Sequence, residues 1–245
     1  MDKLLELTSQ AETSHFWFRG FRQFVTPLLE QAAAGCTDLA VLDCGCGTGH
    51  NLRQLTSHGR AFGMDLSAAG LAIARGSGRP VVRADVTRIP FASGRFDLVT
   101  SFDVLQCVPD DRAAVSEMSR VLKRGGHLVG TAAALEMLHG DHSVLSEEVR
   151  RYTRGRLTDL LRDAGFEPLV VRYAFASLFP MLLGIRVVQR LRGARAAGRE
   201  ITVPPAPINA ALTALVSGEA ALARRLSLPF GSSLVFLARK GDEEN

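Results

Sequence analysis

The sequence predicts an α/β protein with a single doubly wound sheet, and three observations carry the prediction. Short apolar runs alternate with segments of helical periodicity, a glycine-rich turn follows the first run directly, and an aspartate stands at or next to the end of each of the first three runs. Such alternation means parallel strands joined by helical crossovers.

The runs are LAVLDC (39–44), RAFGMD (60–65), PVVRAD (80–85), FDLVTSFD (96–103) and GGHLVGTA (125–132). A helix follows in RYTRGRLTDLLRDAGF, where Leu157, Leu160, Leu161 and Ala164 recur at helical spacing and Gly165 supplies the stop. EPLVVRY and, further on, SLVFLAR bring the sheet to seven strands. The chain then divides into an N-terminal helical segment (1–36), a core (37–173), a helical insertion (174–230) containing the linker RGARAAGRE, and a last strand (231–240).

Composition agrees with a folded domain: 245 residues, 47% hydrophobic and 22% charged, bury a sizeable core. No secretory pattern opens the chain, and the charge-free run from Tyr173 to Ile185 falls short of the roughly 20 residues that span a bilayer. A soluble, cytoplasmic protein is expected, with Cys36, Cys44, Cys46 and Cys107 as reduced thiols. A net charge of +4 is mild, and without a zinc-finger, RNP-type or repeated basic signature nucleic acid is not an expected partner.

The turn VLDCGCGTGHNL (41–52) narrows the chemistry. Cys44 and Cys46 have no second Cys/His pair at ligand spacing, so no metal is expected. The turn lacks the Gly-Lys-Ser/Thr of a P-loop, and His50 stands where a nicotinamide-type GxGxxG needs glycine. What remains is Asp43, Gly45, Gly47 and Gly49 at alternate positions, where missing Cβ atoms let backbone approach a ligand. Asp65 ends the second run 22 residues after Asp43, near the interval at which an acid reaches a ribose hydroxyl pair. With Asp85 ending the third, three acids converge on the sheet edge where open α/β sheets bind ligands.

VLDCGCGTGHNL, GMDLS, RADVTRIPFASGRFDLVTS and VLKRGGHLV follow one another as in the class I S-adenosylmethionine-dependent methyltransferases, which the chain resembles from about 12 to 240. The resemblance implies a Rossmann-like seven-stranded sheet whose last strand is antiparallel, with S-adenosyl-L-methionine as cofactor. It implies that the glycine loop holds the cofactor's methionine part, that Asp65 takes the ribose hydroxyls, and that Asp85 and Val86 meet the adenine, with Leu66 and Phe102 as further cofactor contacts. HFWFRGFR (15–22) and the 150–167 stretch resemble a narrower subgroup of small-molecule methyltransferases. Where relatives commonly read Leu-Glu-His-Val after the fourth strand, this chain has Leu105, Gln106, Cys107 and Val108, which removes any acid/base pair there.

The implied reaction is in-line methyl transfer to a small-molecule acceptor, with a base needed only for a protonated acceptor. Asp103, His142 and Tyr152 are the catalytic candidates, His15 a further one, and His139 competes with His142. Arg150 and Arg151 suit an acidic substrate group. Trp17, amid Phe16, Phe18, Phe21 and Phe24, reads either as helix core or as a lid over the acceptor, with Thr13 or Ser14 capping that helix. A cofactor-binding regulatory or scaffold protein without methyl transfer is the competing function. An RNA or protein methyltransferase lacks support, because SFDVLQ stands where an Asn/Asp-Pro-Pro-Tyr motif would be.

In the insertion, LFPMLLGIRVVQRLRG and INAALTALVSGEAALARRL each show a wide apolar arc. One reading packs the arcs on the sheet or on each other. The sharper one makes them a cover over a lipophilic acceptor, with peripheral membrane contact and Arg186 and Arg190 toward anionic headgroups.

Overall fold

The computed structural model describes residues 11–192 and 203–241. The linker and the far C-terminus therefore lie outside the described residues, as do the side chains of His142 and Arg190.

A first helix, α1 (Phe16–Ala33), precedes the sheet. The strands are β1 (Leu39–Cys44), β2 (Gly59–Asp65), β3 (Val81–Arg83), β4 (Phe96–Phe102), β5 (Leu122–Ala133), β6 (Phe166–Ala174) and β7 (Ser233–Lys240), side by side in the order β3-β2-β1-β4-β5-β7-β6. Neighbours pair in parallel except β7, which runs antiparallel to both β5 and β6. The third run is shorter than the sequence suggests. Val81 to Arg83 pair with β2, and Asp85 lies beyond them, because its carboxyl folds the chain into a turn.

Two apolar clusters, one on each face, make the double winding physical. On one, Val115, Met118 and Val121 of α4 (Asp111–Val121) join Leu157, Leu160 and Leu161 of α6 (Arg154–Asp163). The other receives α1, Leu52 and Leu55 of α2 (His50–Leu55), and Leu71 of α3 (Ala68–Ala74). Burial of both faces is the main favourable term in such a fold. Helix α6 starts on Thr153, whose Oγ1 accepts from Arg156 N, and stops before Gly165 at φ +81°, the expected stop.

Two details differ from expectation. Helix α1 is capped by His15, not Thr13 or Ser14: its Nδ1 accepts from Trp17 N at 3.1 Å. An imidazole nitrogen offers the same acceptor as a hydroxyl, but no capping motif announces it. The insertion also holds a longer apolar element than the Tyr173 to Ile185 run. After the short helix α5 (Asp141–Leu145), the chain forms α7 (Phe179–Arg192) and α8 (Ala206–Ala223) between β6 and β7. Helix α8 has 18 residues, mean hydropathy 1.2, and only 28% of that stretch buried; it is long and apolar enough to cross a membrane by length and composition alone.

Candidate functional site

The ends of β1, β2 and β4 place the acids, the glycine loop and the Phe102–Asp103 pair along one edge. Gly45, Gly47 and Gly49 have φ of +79°, +51° and +80°. At Gly45 this freedom is required twice over: its φ suits glycine, and a Cβ there would lie 2.2 Å from Val104 Cγ2. The loop is pinned to β2, since Gly45 N and Cys46 N both donate to Met64 O, at 2.8 and 2.9 Å.

Asp65 binds the loop from the side. Its Oδ2 accepts Gly47 N at 2.8 Å and its Oδ1 accepts Ser67 N at 2.8 Å. A carboxylate has about four acceptor positions, so two remain for hydroxyl donors. Leu66 beside it is 62% exposed, an open apolar surface at the edge. Asp85 Oδ1 accepts both Thr87 N and Thr87 Oγ1 at 2.8 Å, which holds its carboxyl next to the buried Val86.

Asp43 lies deepest. Its side chain has no exposed surface, Oδ1 accepts Thr100 Oγ1 at 2.7 Å, and Oδ2 is buried without a partner. Burial pushes its pKa up to about 7, the Thr100 hydrogen bond opposes this, and the charge of Asp65 adds to it. An unpartnered buried carboxylate oxygen and a close-approach glycine loop fit a ligand bearing positive charge and hydrogen-bond donors. S-adenosyl-L-methionine has both, in its sulfonium and α-ammonium.

Cys44 and Cys46 face opposite sides of the sheet, one in each apolar cluster. Burial raises the Cys44 thiol well above its ordinary range, and Cys46 rises with it, so they are apolar fillers.

A group that sequence reasoning missed sits over the loop. Thr48 Oγ1 lies 2.9 Å from Glu12 Oε2, Arg22 Nη1 donates to Glu12 O at 3.0 Å, and Arg22 Nη1 meets His50 Nε2 at 3.2 Å. Arginine only donates, so His50 Nε2 accepts and its other nitrogen carries the proton, 3.8 Å from Glu12 Oε2. Burial lowers the His50 pKa, consistent with the neutral ring, and burial raises that of Glu12. Only a polar Thr48 among glycines hinted at this contact; Glu12 is 36 residues away in sequence.

At the β4 end, Phe102 meets the edge of Phe21 at 5.2 Å, bringing α1 against the site. Asp103 adopts φ +55°, and its N–H is shared between Thr131 O and Thr131 Oγ1. The residue is open to solvent yet ringed by protein. Desolvation raises its pKa, the Thr131 hydrogen bond opposes this, and Glu148 adds to it. A left-handed conformation at a residue other than glycine, beside a ligand edge, is strain of the kind that clusters at functional sites.

Four expected contacts take other places. Tyr152 is wholly buried, its hydroxyl donating to Asp111 Oδ2 at 2.8 Å and lying 3.2 Å from Leu105 O, so it is a core residue. Arg150 clamps the Val108 and Pro109 carbonyls and pairs with Asp111 at 3.2 Å. Arg151 forks onto Glu148 at 2.9 and 3.3 Å and also binds Ala134 O. Their guanidiniums match protein acceptors where the sequence suggested a substrate anion. Trp17 stacks on Phe175 at 4.1 Å and 5°, the packing alternative for the aromatic helix. Gln106 is buried, and its backbone oxygen accepts Val149 N at 2.8 Å. The Cys107 thiol, pushed up to about 12 chiefly by burial, stays protonated.

Fold and site together define an α/β protein whose sheet edge is built for a cationic nucleoside cofactor. A family profile described as "Methyltransferase domain" matches residues 42–130. The malonyl-[acyl-carrier protein] O-methyltransferase of Herminiimonas arsenicoxydans is 34% identical over 170 residues, a match covering 65% of this chain and 64% of that protein, under two thirds of its length. The ubiquinone biosynthesis O-methyltransferase of Leptothrix cholodnii is 29% identical over 213 residues, 69% of this chain and 89% of that one. Among solved structures, a Haemonchus contortus phosphoethanolamine N-methyltransferase 2 complexed with phosphomonomethylethanolamine and S-adenosylhomocysteine superposes with TM-score 0.65 at 19% identity. That match covers 98% of this chain and 58% of the other. The matched domain, the methyltransferase relatives and the shared fold support a class I S-adenosylmethionine-dependent methyltransferase with S-adenosyl-L-methionine as cofactor.

Proposed function

We propose that this protein moves a methyl group from S-adenosyl-L-methionine to a small, lipophilic acceptor. The observation that carries the reading is the intact edge: a buried acid with one unpartnered oxygen, a positive-φ glycine loop, and Asp65 with spare acceptor capacity. When bound, the cofactor supplies an electrophilic methyl on a sulfonium. The glycine loop and Asp43 receive the methionine end, Asp65 orients the ribose, and Leu66, Asp85 and Val86 border the base. Alignment of acceptor and methyl supplies several kcal/mol of barrier reduction.

Asp103 is the base the geometry favours, because the residue opens to solvent at the ligand-binding edge and desolvation raises its carboxyl. His142 remains a second proposed base on the short helix Asp141–Leu145. A relative named for ubiquinone biosynthesis supports a lipophilic acceptor. Four free thiols support a reducing cytoplasm. Peripheral membrane contact completes the proposal.

The structural roles of Gln106 and Cys107 also suit cofactor binding without transfer, and turnover separates the two. Purified protein with S-adenosyl-L-methionine and a panel of quinol, acyl-thioester and polar acceptors should yield S-adenosylhomocysteine with the lipophilic members. Cofactor binding by calorimetry without turnover on any of them would leave the regulatory reading.

A further inference from the structure

The insertion is built inside out. Along α8 the exposed positions Ile208, Ala211, Leu215, Gly218 and Leu222 recur at spacings of three and four, and all are apolar. The buried side packs Val216, Ala220 and Ala223 into the core and also carries the polar Asn209 and Glu219. Asn209 accepts Phe16 N and donates to Ser14 O, both at 2.8 Å, and Glu219 takes the Ala176 and Ser177 amides at 2.8 Å. Glu219 is the only charged residue in the helix, and it points inward. A helix on a water-facing surface normally has the opposite polarity.

Helix α7 repeats the inversion. Met181, Ile185, Val187 and Val188 are exposed, while Arg186 turns inward, its Nε donating to Leu138 O at 3.0 Å and its Nη1 to Gln189 Oε1 at 2.8 Å. This corrects the expectation that Arg186 faces headgroups. The Phe179 and Phe230 rings, 5.0 Å apart, join the start of α7 to the chain leaving α8, where Leu226 is also exposed. The insertion leaves the sheet at Ala174 and rejoins it at Ser233, a paired couple at the ligand-binding edge.

Charge selects the occupant. Residues 175–232 contain seven arginines against two glutamates, whereas the rest of the chain carries one more acid than base. Arg224 and Arg225 are exposed directly after the apolar stripe. A second copy would bring this cationic segment against itself, whereas an anionic surface complements it. Apolar faces with flanking arginines match the headgroup–acyl boundary of a bilayer.

We propose that α7 and α8 are an interfacial anchor that seats the protein on an anionic lipid bilayer, with the ligand-binding edge of the sheet beside the membrane. The anchoring stands on the helices alone. Only delivery of a lipophilic acceptor from the bilayer rests on the proposed methyl transfer.

Flotation of the full chain with phosphatidylcholine vesicles, with and without phosphatidylglycerol, tests it. The protein should float with the anionic vesicles, and raised salt should weaken that binding. Leu215→Asp with Leu222→Asp, and separately Arg224→Glu with Arg225→Glu, should each reduce binding by roughly tenfold or more. Both pairs are exposed, so S-adenosyl-L-methionine affinity by calorimetry should stay unchanged and report an intact fold. Wild-type protein that fails to float at low salt, or whose helices pair into a dimer by sedimentation without binding vesicles, overturns the anchor. Vesicle binding without cofactor affinity would instead sink the functional reading.

Discussion

The edge formed by β1, β2 and β4 and the insertion that carries α7 and α8 solve opposite problems. At the edge, polar groups stand where a ligand would complete them: Asp43 keeps an unpartnered buried oxygen and Asp65 spends half its acceptors on backbone amides. In the insertion Asn209, Glu219 and Arg186 are already paired, and hydrocarbon is what lacks a partner. Unpartnered polarity inside points to a small polar ligand, and unpartnered apolar surface outside points to a larger partner.

The sharpest break comes at Asp65. Removing its carboxyl takes the acceptor from Gly47 N and Ser67 N as well as from the ribose, so Asp65→Ala should weaken cofactor binding by about 1.5–3 kcal/mol, read by calorimetry. Unchanged affinity would remove Asp65 from the site.

Gly45→Ala forces a side chain into left-handed backbone against Val104, which should cost roughly 1–3 kcal/mol of stability and lower Tm. Val104→Ala should restore part of it; a Gly45→Ala protein as stable as wild type would mean the loop is slack.

On the inward face of α8, Glu219→Ala leaves two backbone amides without acceptors and should cost about 1–3 kcal/mol in denaturant unfolding. Four residues earlier, on the outward face, Leu215→Ser should stay within about 0.5 kcal/mol. Equal costs would erase the inversion.

The smallest effect is a protonic one. Asp43 titrates near 7 when folded, against an ordinary value of 3.8, so the folded chain holds a proton that the unfolded one has lost. Its stabilising contribution is present in full below the ordinary value and fades as pH rises through 7. A bound cation favours the ionised form, so cofactor binding near pH 7 should release protons, visible as a buffer-dependent enthalpy. Asp43→Asn should remove that release; identical buffer dependence in the variant would acquit Asp43.

Much of the fold and the cofactor edge is legible in the amino-acid sequence alone. LAVLDC starts and stops where β1 does, Gly165 ends its helix, and Asp43, Asp65 and the loop glycines reach one edge. These are local signals. Short continuous apolar runs bounded by turn residues mark strands, glycines fix positive φ, and a parallel sheet brings strand ends to a common side whatever the contacts. Which way a side chain faces among distant partners is not a local property. Tyr152, Arg150 and Arg151 look like substrate groups because their chemistry suits one. Only packing shows Asp111, Glu148 and the loop carbonyls claiming them. Glu12 meets Thr48 across 36 residues, and Asn209 meets Phe16 across 193. The polarity of α8 was decided in the same way. Its apolar residues run round most of the helix, so their spacing does not tell the inward side from the outward one. The fold chose the face that gives Asn209 and Glu219 amide and carbonyl partners, because an unpaired buried polar group costs more than an exposed leucine.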